Sequence, residues 1–246
     1  MNILVSLTAF IIAASSGPGA PTTYPFKVGE RLDFTARLGM LKLGEASMQV
    51  ASLDTVRGEP TFLFRFRLEG GNFLFRIKNV IESWTTVDGF RSLRFHNDNS
   101  ENDRTYLREY DIFPDSGFYR QHGKEGTQPT PKQPLDDASL LYFVRTTPLE
   151  VGQVYRFDKY FINEKNPLIV RVLKAETMEL PDGSKVECLV LNPVIDDKGM
   201  FADRAEARLW ITNDARRIPV QIRSRYSWGT VTLRLDKMTA GSGAGQ

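Results

Sequence analysis

A mainly β fold, with a strongly curved antiparallel sheet or open β-barrel wrapping one buried helix, is what this 246-residue sequence predicts. Three observations carry that expectation. Short runs of alternating apolar and polar residues follow one another from Arg31 to Met238, the period-2 signature of half-buried strands. Gly, Pro, Asn and Asp interrupt them at turn spacing. One segment, "LDDASLLYFVRTTP", breaks the period: six of the seven residues 138–144 are apolar, Ser139 being the exception. A helix lying on a sheet needs only one apolar stripe, so a helix apolar on nearly all sides must be enclosed.

The elements follow in chain order. Residues 3–14, "ILVSLTAFIIAA", form an apolar run followed by the small residues "SSGPGA". The run is too short for a bilayer, which needs about 20 residues. It reads as a secretory signal, residues 1–15, cleaved after Ser15, although no Lys or Arg precedes it. The alternative is a buried N-terminal strand or helix. A single β-rich domain is expected over 24–238, with no linker dividing two cores, and a small, polar, flexible tail over 239–246.

Within the domain, "RLDFTARLG" and "LKLGEASMQV" pair around Gly39 and Gly44, which supply a turn or bulge. "TFLFRFRLEGG" sets Phe62, Phe64, Phe66 and Leu68 on one face. "NFLFRIKNVIESW" fits both a helical stripe and a strand, and hairpin spacing favours the strand. "HNDNSENDR" reads as a solvated hairpin tip, or as a weak cation site that lacks the Gly and terminal Glu of a calcium loop. Residues 122–134, with three prolines, form a long loop. Asp136 or Asp137 caps the enclosed helix, and Pro148 lies past its end. "PDGS" at 181–184 is a turn, and Asp196-Asp197 reads as another.

Composition excludes several classes. Apolar residues make up 41% and charged residues 25%, ordinary globular values, so disorder is not expected. A net charge of +2 gives no sign of a nucleic-acid binder. Cys188 is the only cysteine, so there is no intramolecular disulfide and no cysteine-based metal site; in "KVECLVLN" it packs as a small hydrophobe. His96 and His122 are the only histidines, and neither carries a recognisable partner motif. No G-x-S-x-G elbow, H-E-x-x-H pair or P-loop spacing occurs. No catalytic residue, metal or cofactor is expected. Arg65, Arg67, Arg223, Arg225 and Arg234 alternate along strands. They read as outward charge that discourages edge pairing, or as an anion-binding stripe for lipid headgroups or polysaccharide.

Three stretches occur in order: "FKVGERLDFTARLGMLKLGEASMQV", "LDDASLLYFVRTTPLEVGQ" and "KGMFADRAEARLWITNDARRIPVQIRSRYSWGTVTLRL". Together they resemble the exported bacterial family called domain of unknown function 3108. The matching residues are Gly29, Glu30, Gly44 and Glu45, then Asp137, Ser139, Tyr142 and Arg145, then Trp210, Asp214, Arg217, Pro219 and Val220. The resemblance covers roughly residues 26–236 and implies export, a β-rich fold and no assigned activity. A looser likeness is to periplasmic lipoprotein carriers, whose open β-barrel wraps a helix. That likeness concerns the fold and establishes no function.

The last stretch contains a hairpin. Asn213-Asp214 makes its turn, Ile218, Val220 and Ile222 face the core, and Pro219 puts the second strand at an edge or gives it a bulge. The functional expectation is a non-catalytic, exported cell-envelope module. It binds an apolar or amphipathic ligand, such as a lipid, in the concave face of the sheet, on Phe62, Phe64, Phe66, Leu141 and Tyr142. A structural envelope protein with a filled core and an envelope partner is the alternative, and a hydrolase of envelope polymer the second.

Overall fold

The computed structural model describes residues 23–71, 76–102, 104–195, 201, 205–226 and 229–242. The first half of the chain supplies β1 (Arg31–Leu38), β2 (Leu41–Val56), β3 (Glu59–Gly71), β4 (Arg76–Thr86), β5 (Ser92–Glu101), β6 (Arg104–Phe113), β7 (Phe118–Gln121) and β8 (Gln128–Pro129). After helix α1 (Asp137–Thr146) come β9 (Val154–Phe157), β10 (Leu168–Glu179), β11 (Lys185–Val194), β12 (Arg208–Thr212), β13 (Pro219–Tyr226) and β14 (Gly229–Thr239). These strands form one sheet in the order β8-β7-β6-β5-β4-β3-β2-β1-β14-β13-β12-β11-β10-β9.

The topology grows outward from the central antiparallel pair of β1 and β14. Every other ladder joins strands adjacent in sequence. β8 and β9 are left as the two edges, and α1 connects them. The sheet stays open, but a parallel bridge between Leu135 and Tyr160 ties the edges beside the helix. There the Leu135 N–H donates to Lys159 O at 2.5 Å and the Phe161 N–H to Leu135 O at 2.9 Å.

Alternation decides which side chains enter the core. Phe62, Phe64 and Phe66 of β3 point inward, as do Leu32, Phe34 and Ala36 of β1 and Leu233 and Leu235 of β14. They pack with Ala138, Leu140, Leu141, Tyr142 and Val144 of α1 in one large cluster, so the enclosed helix is found as expected. Gly44 and Gly70 face each other across β2 and β3. A Cβ on Gly44 would lie 2.1 Å from Glu69 O, so only glycine permits the close backbone approach at this bend. The ambiguous segment after Gly71 is strand β4 where it is described. Cys188 is fully buried in a satellite cluster with Val190, Trp210 and Val220, and burial pushes its thiol up to about 11.

Three expectations need correction, and a fourth is settled between its two alternatives. "HNDNSE" is not a hairpin tip: these residues complete β5, Asn97 is buried, and the turn begins at Asn102. The arginines of β3 and β13 guard no edge, because both strands are paired on both sides. Pro219 sits on an interior strand, and the bulge alternative is the one found, with the β12–β13 register shifting between Trp210 and Ile211. Val220 therefore does not face the main core. Val220 is the extra residue passed over in that register, so it leaves the alternation: Ile218 and Ile222 pack inside while Val220 joins Trp210 in the satellite cluster.

Asp196-Asp197 and the N-terminal apolar run lie outside the described residues. At the other end β14 runs to Thr239, and Gly241 lies against the backbone of Lys27, Val28 and Glu30.

Candidate functional site

The N-terminal end of α1 is built from buried polar groups. Asp136, rather than Asp137, is the cap. Its carboxylate accepts the backbone N–H of Ala138 at 3.0 Å and of Ser139 at 2.9 Å, while the Ser139 hydroxyl accepts the Asp136 N–H. This is a reciprocal capping box with Ser in the position usually taken by Glu or Gln. Ser83 of β4 donates to the same carboxylate at 2.6 Å, and Ser92 of β5 meets Ser139 at 3.0 Å. Asp137 instead accepts from the Tyr160 hydroxyl. The sequence signal for this network is legible afterwards: Ser83 and Thr85 occupy inward positions of β4 where the alternation calls for apolar residues.

Complete burial pushes the Asp136 carboxyl up to about 6, against the opposing pull of its hydrogen-bond donors. Its folded-state value thus lies above the unfolded 3.8. Between those values the folded state binds the extra proton, so the stabilising contribution is fully present below about pH 4 and is lost as pH rises through about 6. The whole effect is roughly 3 kcal/mol. Asp136→Asn keeps an acceptor for the cap and removes the titration. Urea unfolding from pH 4 to 7 should show the wild type losing stability relative to this variant as pH rises; parallel curves would contradict the burial argument.

The C-terminal end of α1 is held by a buried ion pair. The Arg145 side chain is 0% exposed. Its guanidinium donates to both carboxylate oxygens of Glu30, at 2.5 and 3.1 Å. It also donates to Pro25 O at 3.0 Å and Arg216 O at 3.1 Å, and lies over the rings of Phe26 and Tyr142. The Arg216 carbonyl belongs to the turn between β12 and β13. There Asp214 accepts from Thr212 Oγ1 and from the N–H groups of Arg216 and Arg217, and Arg217 takes a left-handed φ of 49°. The three stretches quoted from the sequence therefore meet at one buried point, the strap that locks α1 to the sheet. The hairpin's signature residues serve the fold.

The expected ligand residues divide along β3. Phe64 stacks on Tyr142 with ring centroids 4.0 Å apart, and Phe62 packs on Phe64, Tyr24 and Phe26. With Phe90 these rings fill the space between α1 and the sheet. Leu141 joins the same cluster. Phe66 lies further along β3, opposite Met48 of β2 and Ile81 of β4. Beyond it the inner face changes character. Leu68 and Ile81 are only half buried. Next to them Asn79 donates to Asn97 at 3.0 Å and to Asn99 at 3.3 Å.

The outer face of β3–β7 carries the histidines. His96 and His122 lack a partner motif in sequence, yet both face Glu109, with N–O distances of 3.8 and 3.5 Å. His122 also meets Asp111 at 2.9 Å. Burial lowers the His96 pKa, although Glu109 opposes it. Beside them lies a groove of about 450 Å³ lined by Arg65, Arg67, Lys78, Val80, Glu82, His96, Asp98 and Leu107. Of the five arginines singled out in sequence, only Arg65 and Arg67 line it. Arg223 and Arg225 lie on β13, and Arg234 donates to Glu179 O. Among the described residues, no group of three or more His, Cys, Asp and Glu side chains could hold a metal ion, and no helix is long and apolar enough to cross a membrane.

Fold and site together define a class: an open, β-barrel-like protein whose curved antiparallel sheet encloses a strapped helix. The chain belongs to the family described as protein of unknown function, DUF3108, whose model matches residues 33–236. Among solved structures it is similar in fold to a β-barrel-like protein of the domain of unknown function DUF1849 from Brucella abortus. That likeness has 13% identity and a TM-score of 0.55, over 87% of this chain and 98% of the other. A lipoprotein candidate from Parabacteroides distasonis aligns at 9% identity over 88% of this chain and 99% of its own, with a TM-score of 0.31. No curated protein matches the chain.

Proposed function

We propose that this protein is a non-catalytic module of the bacterial cell envelope, exported by a signal over about its first 15 residues, that binds an amphipathic ligand such as a lipid on its concave face. One observation carries the reading: the inner face has two zones. Around α1 the rings of Phe62, Phe64 and Tyr142 form a packed floor, with Leu141 in the same cluster. Beside and past Phe66 lie the half-buried apolar side chains of Leu68 and Ile81, bordered by the amides of Asn79, Asn97 and Asn99. An apolar patch beside a few convergent polar groups suits a ligand with an acyl chain and a polar head. The Tyr142 hydroxyl, buried with no hydrogen-bond partner among the described residues, is a group that a polar ligand atom would satisfy, since such a hydroxyl costs about 1–3 kcal/mol when left unpaired.

The test fills the patch without touching the floor. Native mass spectrometry of protein purified from its own envelope should show retained lipid as added mass. In thermal-shift titrations, fatty acids and phospholipids should raise the melting temperature with concentration, as ligands of the folded state do. Ile81→Trp should abolish that response while leaving the unliganded melting temperature within a few degrees. Leu141→Ala, in the floor, should weaken the response or widen the range of accepted chain lengths. No retained mass and no shift with any lipid would replace this reading with that of a structural envelope protein.

A further inference from the structure

We propose that the outer face of the sheet docks the protein on an anionic lipid bilayer, through a row of cations across β12, β13, β1 and β2 and the apolar tip of the β1–β2 hairpin. This surface lies on the face opposite the concave patch and needs no ligand there.

Register draws outward side chains from five strands into one row. Arg208 of β12 is the partner of Arg223 on β13, Arg223 of Thr232 on β14, Thr232 of Arg37 on β1, and Arg37 of Lys42 on β2. All but Thr232 are cationic. Arg208 therefore stands directly opposite Arg223, and Arg37 directly opposite Lys42. Like charges so placed destabilise a sheet, and a partner that neutralises the row would relieve that cost. At a strand spacing of about 4.8 Å the row is about 19 Å long, too extended for one small anion.

The surrounding charges leave an excess. Arg234 and Arg225, one row to either side on β14 and β13, add two more cations. Glu45 is held by Lys42 at 3.0 Å and Glu206 by Arg225 at 3.3 Å. Glu69, one strand beyond Glu45, faces Lys78 across the next ladder. Arg234 donates to the Glu179 carbonyl, which brings that residue's carboxylate into the same surroundings. Setting Glu45, Glu206 and Glu179 against Lys42, Arg225 and Arg234 leaves Arg37, Arg208 and Arg223. Among the described residues none of these three has a carboxylate partner: Arg208 donates to the carbonyls of Glu206 and Ala207, and Arg37 to that of Met40. Arg37 and Arg223 are exposed.

The row ends at a tip of the opposite character. Met40 is 95% exposed and Leu41 59% exposed. Gly39 supplies the left-handed φ of 56°, and the turn geometry asks for no apolar side chain beyond it; tight hairpin turns ordinarily carry Asn, Asp or Gly. A solvent-facing Met-Leu pair flanked by Arg37 and Lys42 suits the boundary between headgroups and acyl chains. There the apolar side chains enter and the cations stay at the phosphates. Basic side chains near an anionic leaflet add attraction that salt screens. A soluble polyanion would use the row and leave the tip without a role, so the tip decides for a bilayer.

Sedimentation of the full chain with phosphatidylcholine vesicles, with and without phosphatidylglycerol, tests the surface. Wild type should bind the anionic vesicles, release them at high salt and bind pure phosphatidylcholine far less. Arg37→Ser/Arg223→Ser removes two unpaired cations of the row, and Arg67→Ser/Lys78→Ser removes the same net charge from β3 and β4. The row variant should bind about tenfold more weakly, and the β3–β4 variant like wild type. Met40→Ser/Leu41→Ser should also lose about tenfold, through lost apolar burial. Ile81→Trp, which fills the concave patch, should dock like wild type, so failure of the concave-ligand reading is told apart from failure of this one. Absence of wild-type binding to anionic vesicles, equal weakening in the row and β3–β4 variants, or loss of docking in Ile81→Trp would each overturn the proposal. Undiminished vesicle binding by the tip variant would overturn it too, and row-dependent binding of that variant to polyglutamate would assign the row to an acidic polymer instead. Thermal melts should be unchanged in the row and β3–β4 variants, because all four side chains are exposed.

Discussion

Arg145→Ala is expected to destabilise the protein by about 3–5 kcal/mol, the cost of leaving a buried partner charge uncompensated. The uncompensated charge is Glu30, which is 8% exposed and receives both guanidinium hydrogen bonds. The carbonyls of Pro25 and Arg216 lose a donor as well. Against the usual stability of 5–15 kcal/mol, this is a large fraction of the total. Urea denaturation measures it, through a lower midpoint at an unchanged slope. Glu30→Leu/Arg145→Met should recover much of the loss, because apolar replacement of a buried pair is often neutral or better. Amide exchange in the turn at residues 213–217 should accelerate in the single variant, since Arg145 ties that turn to α1. An Arg145→Ala protein within 1 kcal/mol of wild type by the same criterion would mean that the strap does not hold the helix.

Leu141→Asp is expected to abolish cooperative unfolding at neutral pH. Leu141 lies in the main cluster at 6% exposure. Losing its burial costs about 1.5–3 kcal/mol in transfer alone, and an unpaired carboxylate in the same place adds several more. Leu141→Met conserves volume and should stay within about 1.5 kcal/mol, so the pair separates burial of charge from loss of shape. Near-ultraviolet circular dichroism and thermal melts are the measurements. A Leu141→Asp protein that melts cooperatively near the wild-type temperature would show that the helix is not enclosed.

Much of this architecture was readable beforehand because strands and helix announce themselves locally. Phe62, Phe64 and Phe66 alternate, and 138–144 is apolar on nearly all sides, so a sheet enclosing a helix follows from side-chain direction alone. Where local reading failed, a contact distant in sequence had intervened. Val220 does not face the main core because it is itself the extra residue of a bulge beside Pro219. His96 and His122 looked isolated because their shared carboxylate, Glu109, is contributed by the strand between them in space. On β3 the ring contact of α1 is with Phe64 through Tyr142, and the order of side chains along β3 cannot reveal which of its phenylalanines the helix meets.

What the sequence by itself determined is the set of elements: the strand period, the cap and end of α1, the turn at 181–184 and the family. Those features depend on dihedral preferences and on neighbours a few residues apart. The tertiary structure alone decided the strap and the two faces. Glu30 and Arg145 are 115 residues apart in the chain, and the turn carbonyl that joins them lies 71 residues beyond Arg145. Likewise Arg67, Lys78, Asp98 and Leu107 share a groove only because four strands stack in register. Short-range sterics choose a conformation, but a buried charge or a groove exists only once distant segments have closed around it and excluded water.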